Sequence, residues 1–127
     1  MLALHHLAVK TRNLIKSEVF YAQMLGLPLL KRHDDARGPR SIWLGLGNSG
    51  AFLAVERADD LGAPTRLDDA AGWHCVALTM EVSARADWIA KLEAAGHPIF
   101  HQTLYSIYVR DPDGAVVALS HYPHEAR

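Results

Sequence analysis

Apolar and polar positions alternate along residues 2–10, with Leu7 and Val9 on one side and Leu4, His6 and Ala8 on the other, the period of a β-strand. The period then lengthens. Leu14, Val19, Phe20, Met24 and Leu25 recur at helical spacing behind Asn13, a good N-cap residue, and Gly26 suits the left-handed position that ends a helix. Strand patterns return at Leu27–Arg32, Ser41–Leu46 and Gly50–Glu56, and the polar stretch His33–Arg40 reads as a turn or mobile loop. After a charged stretch the order begins again. It runs through strand Trp73–Met80, helix Ser83–Ala95 capped by Ser83, strand Pro98–Gln102, strand Tyr105–Arg110, an Asp111-Pro112-Asp113-Gly114 turn and strand Ala115–His121.

The second half therefore repeats the first as β-α-β-β-β. His6 and His74 lie 68 residues apart, Gly26 and Gly96 70, and Gly50 and Gly114 64, a drift that differing loop lengths explain. The expected division is a first module at 1–60, a linker at 61–71 and a second module at 72–127. A four-stranded module with one helix covers only one sheet face and needs a partner for the other. The fold class expected is α+β: two βαβββ modules forming a curved mixed sheet around a cleft, with the helices outside. The cleft would be lined by Leu4, His6 and Ala8 from the first module and by His74, Val76 and Leu78 from the second.

Composition narrows the partners. The chain has 127 residues, and its formal charge of −1 is spread without a basic stripe, which argues against nucleic acid. No apolar run approaches the ~20 residues of a membrane span, and no secretory leader pattern is visible, so the expected location is the cytoplasm. The single cysteine, Cys75, excludes an internal disulfide and a cysteine-rich zinc site, and it reads as a small strand residue.

The residues His6-Leu7-Ala8-Val9, Ser17 with Phe20-Tyr21, Leu25-Gly26-Leu27, His74-Cys75-Val76-Ala77, Ala94-Ala95-Gly96 and Asp111-Pro112-Asp113-Gly114 follow one another as in a known group. In this order the chain resembles the vicinal oxygen chelate superfamily of glyoxalases, bleomycin-resistance proteins and extradiol dioxygenases. The resemblance implies paired βαβββ modules, a homodimer and a small-molecule ligand. It also implies a divalent metal (Fe, Mn, Ni or Zn) on a histidine of each module's first strand and a glutamate of the last strand. His6 and His74 match the histidine positions. The glutamate position, four residues after the Gly of the turn, is Ala118, and its equivalent in the first module is Ala54.

Both carboxylates are thus replaced. Glu56, two residues past Ala54 on the same strand face, is the nearest substitute. Trp43, Tyr105 and Tyr108 are candidates to line a ligand pocket, and Ser120 offers a hydroxyl on the face of Ala118. Two functions follow from these residues. One is a metal-assisted lyase or dioxygenase-like enzyme acting on an oxygen-rich molecule through His6, His74 and Glu56. The other is a metal-free, drug-sequestering binding protein. A third reading, with His6 and His74 as metal-free acid and base, ranks below both because nothing fixes a partner for the base.

Overall fold

The computed structural model describes residues 1–64 and 69–125. The chain separates into two compact units, Met1–Pro64 and Thr65–Arg127. Each carries one four-stranded mixed sheet and one principal helix.

In the first unit β1 (His6–Thr11) leads into α1 (Leu14–Glu18), which passes into a wider π-helical turn, Val19–Met24. The Asn13 side chain accepts the Lys16 N–H at 3.1 Å, so the cap read from the pattern is present. Gly26 follows at φ +77°, a left-handed conformation that side chains resist. Then come β2 (Leu29–Asp35), β3 (Gly38–Gly45) and β4 (Phe52–Arg57), in sheet order β1-β4-β3-β2 with β1 parallel to β4. The second unit repeats this with β5 (Val76–Thr79), a 3-10 turn Val82–Ala84, α2 (Arg85–Ala94), β6 (His101–Gln102), β7 (Ser106–Arg110) and β8 (Val116–Ser120). Its order is β5-β8-β7-β6, with β5 parallel to β8. The doubled β-α-β-β-β pattern is therefore the structure of both halves.

Two local expectations are corrected. The polar stretch 33–40 is the tip of the β2–β3 hairpin. Asp35 pairs with Gly38 across a short turn, where the Asp35 carboxylate accepts the Arg37 N–H at 2.8 Å and Gly38 takes φ +107°. Its polarity comes from ion pairs at the hairpin end. Arg57 binds the Asp35 carboxylate at 2.5 Å and the Pro39 carbonyl at 2.7 Å, and Arg40 binds Asp59 at 2.7 Å. Ser83 does not cap α2. The 3-10 turn places Ala84 at the cap position, with no side-chain cap bond.

Side-chain bonds identify the helix-covered face of each sheet. In the first unit Thr11 of β1 bonds Ser17 of α1 at 2.7 Å, both fully buried. By alternation Leu7, Val9, Leu53, Val55, Ile42 and Leu44 share that face, against Phe20, Tyr21 and Leu25. In the second unit Arg85 of α2 donates to Nε2 of buried His121 at 2.9 Å, while His121 Nδ1 donates to the His124 carbonyl. The helix face there carries Val117, Leu119, Ile107 and Val109, beside buried Leu92. Val76 pairs with Val117 and Leu78 with Leu119, so both belong to this core. The expectation that Val76 and Leu78 line a cleft is overturned; Ala77 and Thr79 point to the other face.

Arg85 also donates to the carbonyls of Thr103 (2.9 Å) and Leu104 (3.1 Å), tying α2 to the β6–β7 connection. Arg85→Met keeps the stem but strands these acceptors, and it should cost about 2–3 kcal/mol in urea unfolding. A smaller loss than in a surface Arg→Met control would sink this role.

Three carboxyls of the first unit are held below their ordinary range. Glu18 is lowered by its hydrogen bond to Arg32, Asp35 by its bond to Arg57 and Asp59 by its bond to Arg40. A depressed carboxyl adds stability above its unfolded value and loses it as pH falls through the folded one. The melting temperature should therefore fall between pH 5 and pH 2, and less steeply in Asp35→Asn, whose neutral side chain no longer titrates.

Candidate ligand site

Opposite the helix, strand register lays side chains across each sheet in rows. In the first unit one row is His6–Phe52–Gly45, the next Ala8–Ala54–Trp43–Lys31, the third Lys10–Glu56–Ser41–His33. In the second unit the middle row is Ala77–Ala118–Tyr108–His101, and the next is Thr79–Ser120–Ser106. The middle rows match position for position: two alanines, an aromatic ring, then a basic side chain. Trp43 and Tyr108 stand in these middle rows, and Ser120 shares the face of Ala118.

Rings dominate both faces. In the first unit His6 stacks on Phe52 at 4.9 Å with 7° between planes, Phe52 on Trp43 at 4.4 Å and 25°, and His33 lies 4.7 Å beyond. The Lys31 ammonium stands 5.6 Å from the Trp43 ring, within cation–π range. Gly45 makes room at the end of the first row, where a Cβ would come within 3.1 Å of Pro28. In the second unit Tyr108 is flanked by His101 at 5.2 Å, His74 at 6.3 Å and Phe100 at 6.4 Å, with the Arg110 guanidinium 4.4 Å over Phe100. Phe52, Lys31 and His33 lie outside the residues that the sequence singles out. The available signal was register: Phe52 lies two residues before Ala54, on the same face.

Tyr105 does not join this site. It precedes β7 on the opposite parity, packs edge-on against His121 and Tyr122, and points its hydroxyl toward Glu125 at 3.5 Å.

Glu56 does not complete a site with His6. Its row partner on β1 is Lys10, whereas His6 partners Phe52. Four residues of strand, about 13 Å, separate the two rows, too far for one ion to span between perpendicular side chains.

Register also changes the internal match of the repeat. Ala8 pairs with Ala54 and Ala77 with Ala118, each four residues after its glycine. Counting back two residues, the counterpart of His6 is Cys75, and His74 corresponds to His5. Burial pushes the Cys75 thiol up, away from the thiolate a metal would bind. Among the described residues no three His, Cys, Asp or Glu side chains gather as a metal requires. The residues present do not fit the histidine–histidine–glutamate ligand set that the resemblance implies. The turn Asp111-Pro112-Asp113-Gly114 is likewise structural, its Asp111 carboxylate accepting the N–H of Asp113 (2.9 Å) and of Ala115 (2.8 Å).

Comparison with known proteins agrees with this architecture. The family model of the Glyoxalase/Bleomycin resistance protein/Dioxygenase superfamily matches residues 3–119, and the chain belongs to that superfamily. Its fold is the vicinal oxygen chelate fold. A glyoxalase/dioxygenase from Nostoc punctiforme is similar at a TM-score of 0.77 and 18% identity, covering 96% of this chain and 92% of that one. Glyoxalase I of Leishmania major, described as trypanothione-dependent, has a TM-score of 0.75 at 22% identity, covering 95% and 87%. A fosfomycin resistance protein from Listeria monocytogenes has a TM-score of 0.72 at 16% identity, covering 94% and 90%. None of the curated proteins matches the sequence. At these identities the likeness to the solved structures speaks for the fold.

Ala118 is 1% exposed. Ala118→Glu should therefore cost about 2–4 kcal/mol at neutral pH, with part recovered near pH 4 as the buried carboxyl takes up a proton. Unchanged stability in thermal melts would show that the alanine floor is open to water.

Proposed function

We propose that this protein binds a small, planar, oxygen-rich molecule on the open faces of its sheets and holds it unchanged, as a sequestering protein of the resistance kind. One observation carries the reading: the repeated Ala-Ala-aromatic-basic row. Where the superfamily resemblance implies a carboxylate and a metal, this chain has methyl groups beside Trp43 and Tyr108. The partly exposed rings of Trp43 and Tyr108 favour a flat apolar body, since ring contacts contribute roughly 0.5–1.5 kcal/mol each beyond area burial. Lys31 and His101 at the ends of the rows favour acidic or hydroxyl oxygens at the ligand's edge. Ser120 and Ser106 add hydroxyl partners in the next row.

The metal-assisted lyase or dioxygenase reading loses its proposed third ligand, because Glu56 lies on the wrong row for His6. Homodimerisation belongs to the same proposal. Each four-stranded sheet ends in edge strands, and such edges favour pairing with a second copy. The proposed setting is the cytoplasm, where the lone thiol of Cys75 stays reduced. No helix among the described residues is long and apolar enough to cross a membrane.

Titration with hydroxybenzoates and catechols, followed by tryptophan fluorescence, tests the function. Saturable quenching is expected, with affinity at least tenfold weaker in Trp43→Ala and unchanged in Trp88→Phe. Mass spectrometry should recover the ligand intact after incubation with Mn, Fe, Ni or Zn. Equal affinity in Trp43→Ala, or metal-dependent conversion that disappears in His6→Ala, overturns the reading.

A further inference from the structure

The first unit treats its cations in two ways. Three arginines each hold a carboxylate: Arg32 binds Glu18, Arg57 binds Asp35 and Arg40 binds Asp59. Lys31 neighbours Arg32 on β2 and therefore lies on the opposite face of the strand. There it pairs in register with Trp43 and stands over that ring, with no ion pair among the described residues. His33, two residues further along the same face, lies on the Trp43 ring as well. One half-buried indole is thus flanked by an unpaired ammonium and an imidazole.

The imidazole is held from the neighbouring strand. Its Nδ1 lies 3.2 Å from the hydroxyl of Ser41, which is buried on β3. A serine hydroxyl that donates to Nδ1 leaves the neutral ring with its hydrogen on Nε2. His33 is then a hydrogen-bond donor beside Trp43 without taking up a proton. The charge of the open faces agrees. The rows of the first unit carry Lys10 and Lys31 against one carboxylate, Glu56. The strands of the second unit carry Arg110 on this face and, among the described residues, no Asp or Glu. A chain of formal charge −1 thus places its acids outside these rows, Glu56 excepted. Such an arrangement attracts anions.

We propose that the ligand of the first unit is an aromatic carboxylate. Its ring lies against the uncovered part of Trp43, and its carboxylate accepts hydrogen bonds from the Lys31 ammonium and from His33 Nε2. Ser41 is a positioning residue, since it selects the tautomer that makes His33 a donor. The inference rests on the ligand-binding reading and narrows it from oxygen-rich molecules to aryl acids. A neutral catechol lacks the charge that Lys31 answers. Exposed ion pairs are weak and screened by salt, so an aryl acid should outbind its uncharged twin by about fivefold at low ionic strength, and by less as salt rises.

The test compares para-hydroxybenzoate with para-hydroxybenzamide, matched in shape and differing in charge, by calorimetric titration at neutral pH in low and in high salt. The acid should bind about fivefold tighter in low salt, with the gap closing in high salt. Lys31→Met should lower the affinity for the acid to that for the amide and leave the amide unchanged. Lys16→Met, the same change at an exposed position of α1, should alter neither. Ser41→Ala should weaken the acid severalfold without weakening the amide. In nitrogen NMR at mildly alkaline pH, the same variant should shift the His33 hydrogen from Nε2 toward a mixture of tautomers. Matching thermal melts will show that each variant is folded. Equal affinities for acid and amide in the wild type, or an acid preference that persists in Lys31→Met, overturns the aryl-acid assignment and leaves ligand binding itself standing. An unchanged preference and tautomer in Ser41→Ala overturns its positioning role. Absence of saturable binding by either compound overturns the ligand-binding reading and this one together.

Discussion

The parallel pairing of the first and last strand of each unit decides what the rest of the chain can do. A shift of one residue in that pairing would send every open-face side chain into the core. The register is held by apolar residues that must face the helix. Leu7 and Val9 sit beside Leu53 and Val55, and Val76 and Leu78 beside Val117 and Leu119. Once these are buried, the residues between them have no choice of face. Ala8 meets Ala54, Ala77 meets Ala118, and the aromatic and basic residues of the neighbouring strands complete the row.

Polar anchoring supports the same arrangement at the ends of the strands. Thr11 and Ser17 bond within the core where β1 turns into α1, and Arg85 with His121 does comparable work for α2. The two solutions differ chemically, a hydroxyl pair in one unit and a guanidinium–imidazole pair in the other, yet each fastens its helix to the same side of its sheet. The repeat therefore conserves topology and the middle row, while its anchoring details diverge. The fold of the superfamily survives because backbone pairing and apolar alternation suffice for it. The chemistry does not follow automatically, since it depends on a few side chains in the rows.

Among the described residues those side chains do not gather into a three-ligand set. Ala54 and Ala118 are buried methyl groups, Cys75 stands where the counterpart of His6 would be, and Phe52 fills the position beside His6 with a stacked ring. What remains in each middle row is an aromatic ring with a basic side chain beside it. The imidazoles are engaged with rings.

Much of this was legible in the chain itself. Strand and helix periods, the Asn13 cap, Gly26 and Gly96 at left-handed positions and the doubled order of elements are local properties, set by sterics and alternation within a few residues. So was the absence of glutamate at positions 54 and 118. Cross-strand register was not, because it depends on which apolar residues from distant segments pack together. It put Val76 and Leu78 in the core, separated Glu56 from His6, withdrew Tyr105 toward His121, and brought Phe52 between Trp43 and His6. The hairpin over 33–40 escaped for a related reason: its polar residues are satisfied by Arg57 and Arg40, partners that local pattern does not reveal. The sequence by itself determined the elements and their repetition, since each is a short-range preference of the backbone. Only the tertiary structure decided which side chains share a row, because pairing across strands is a property of the packed core.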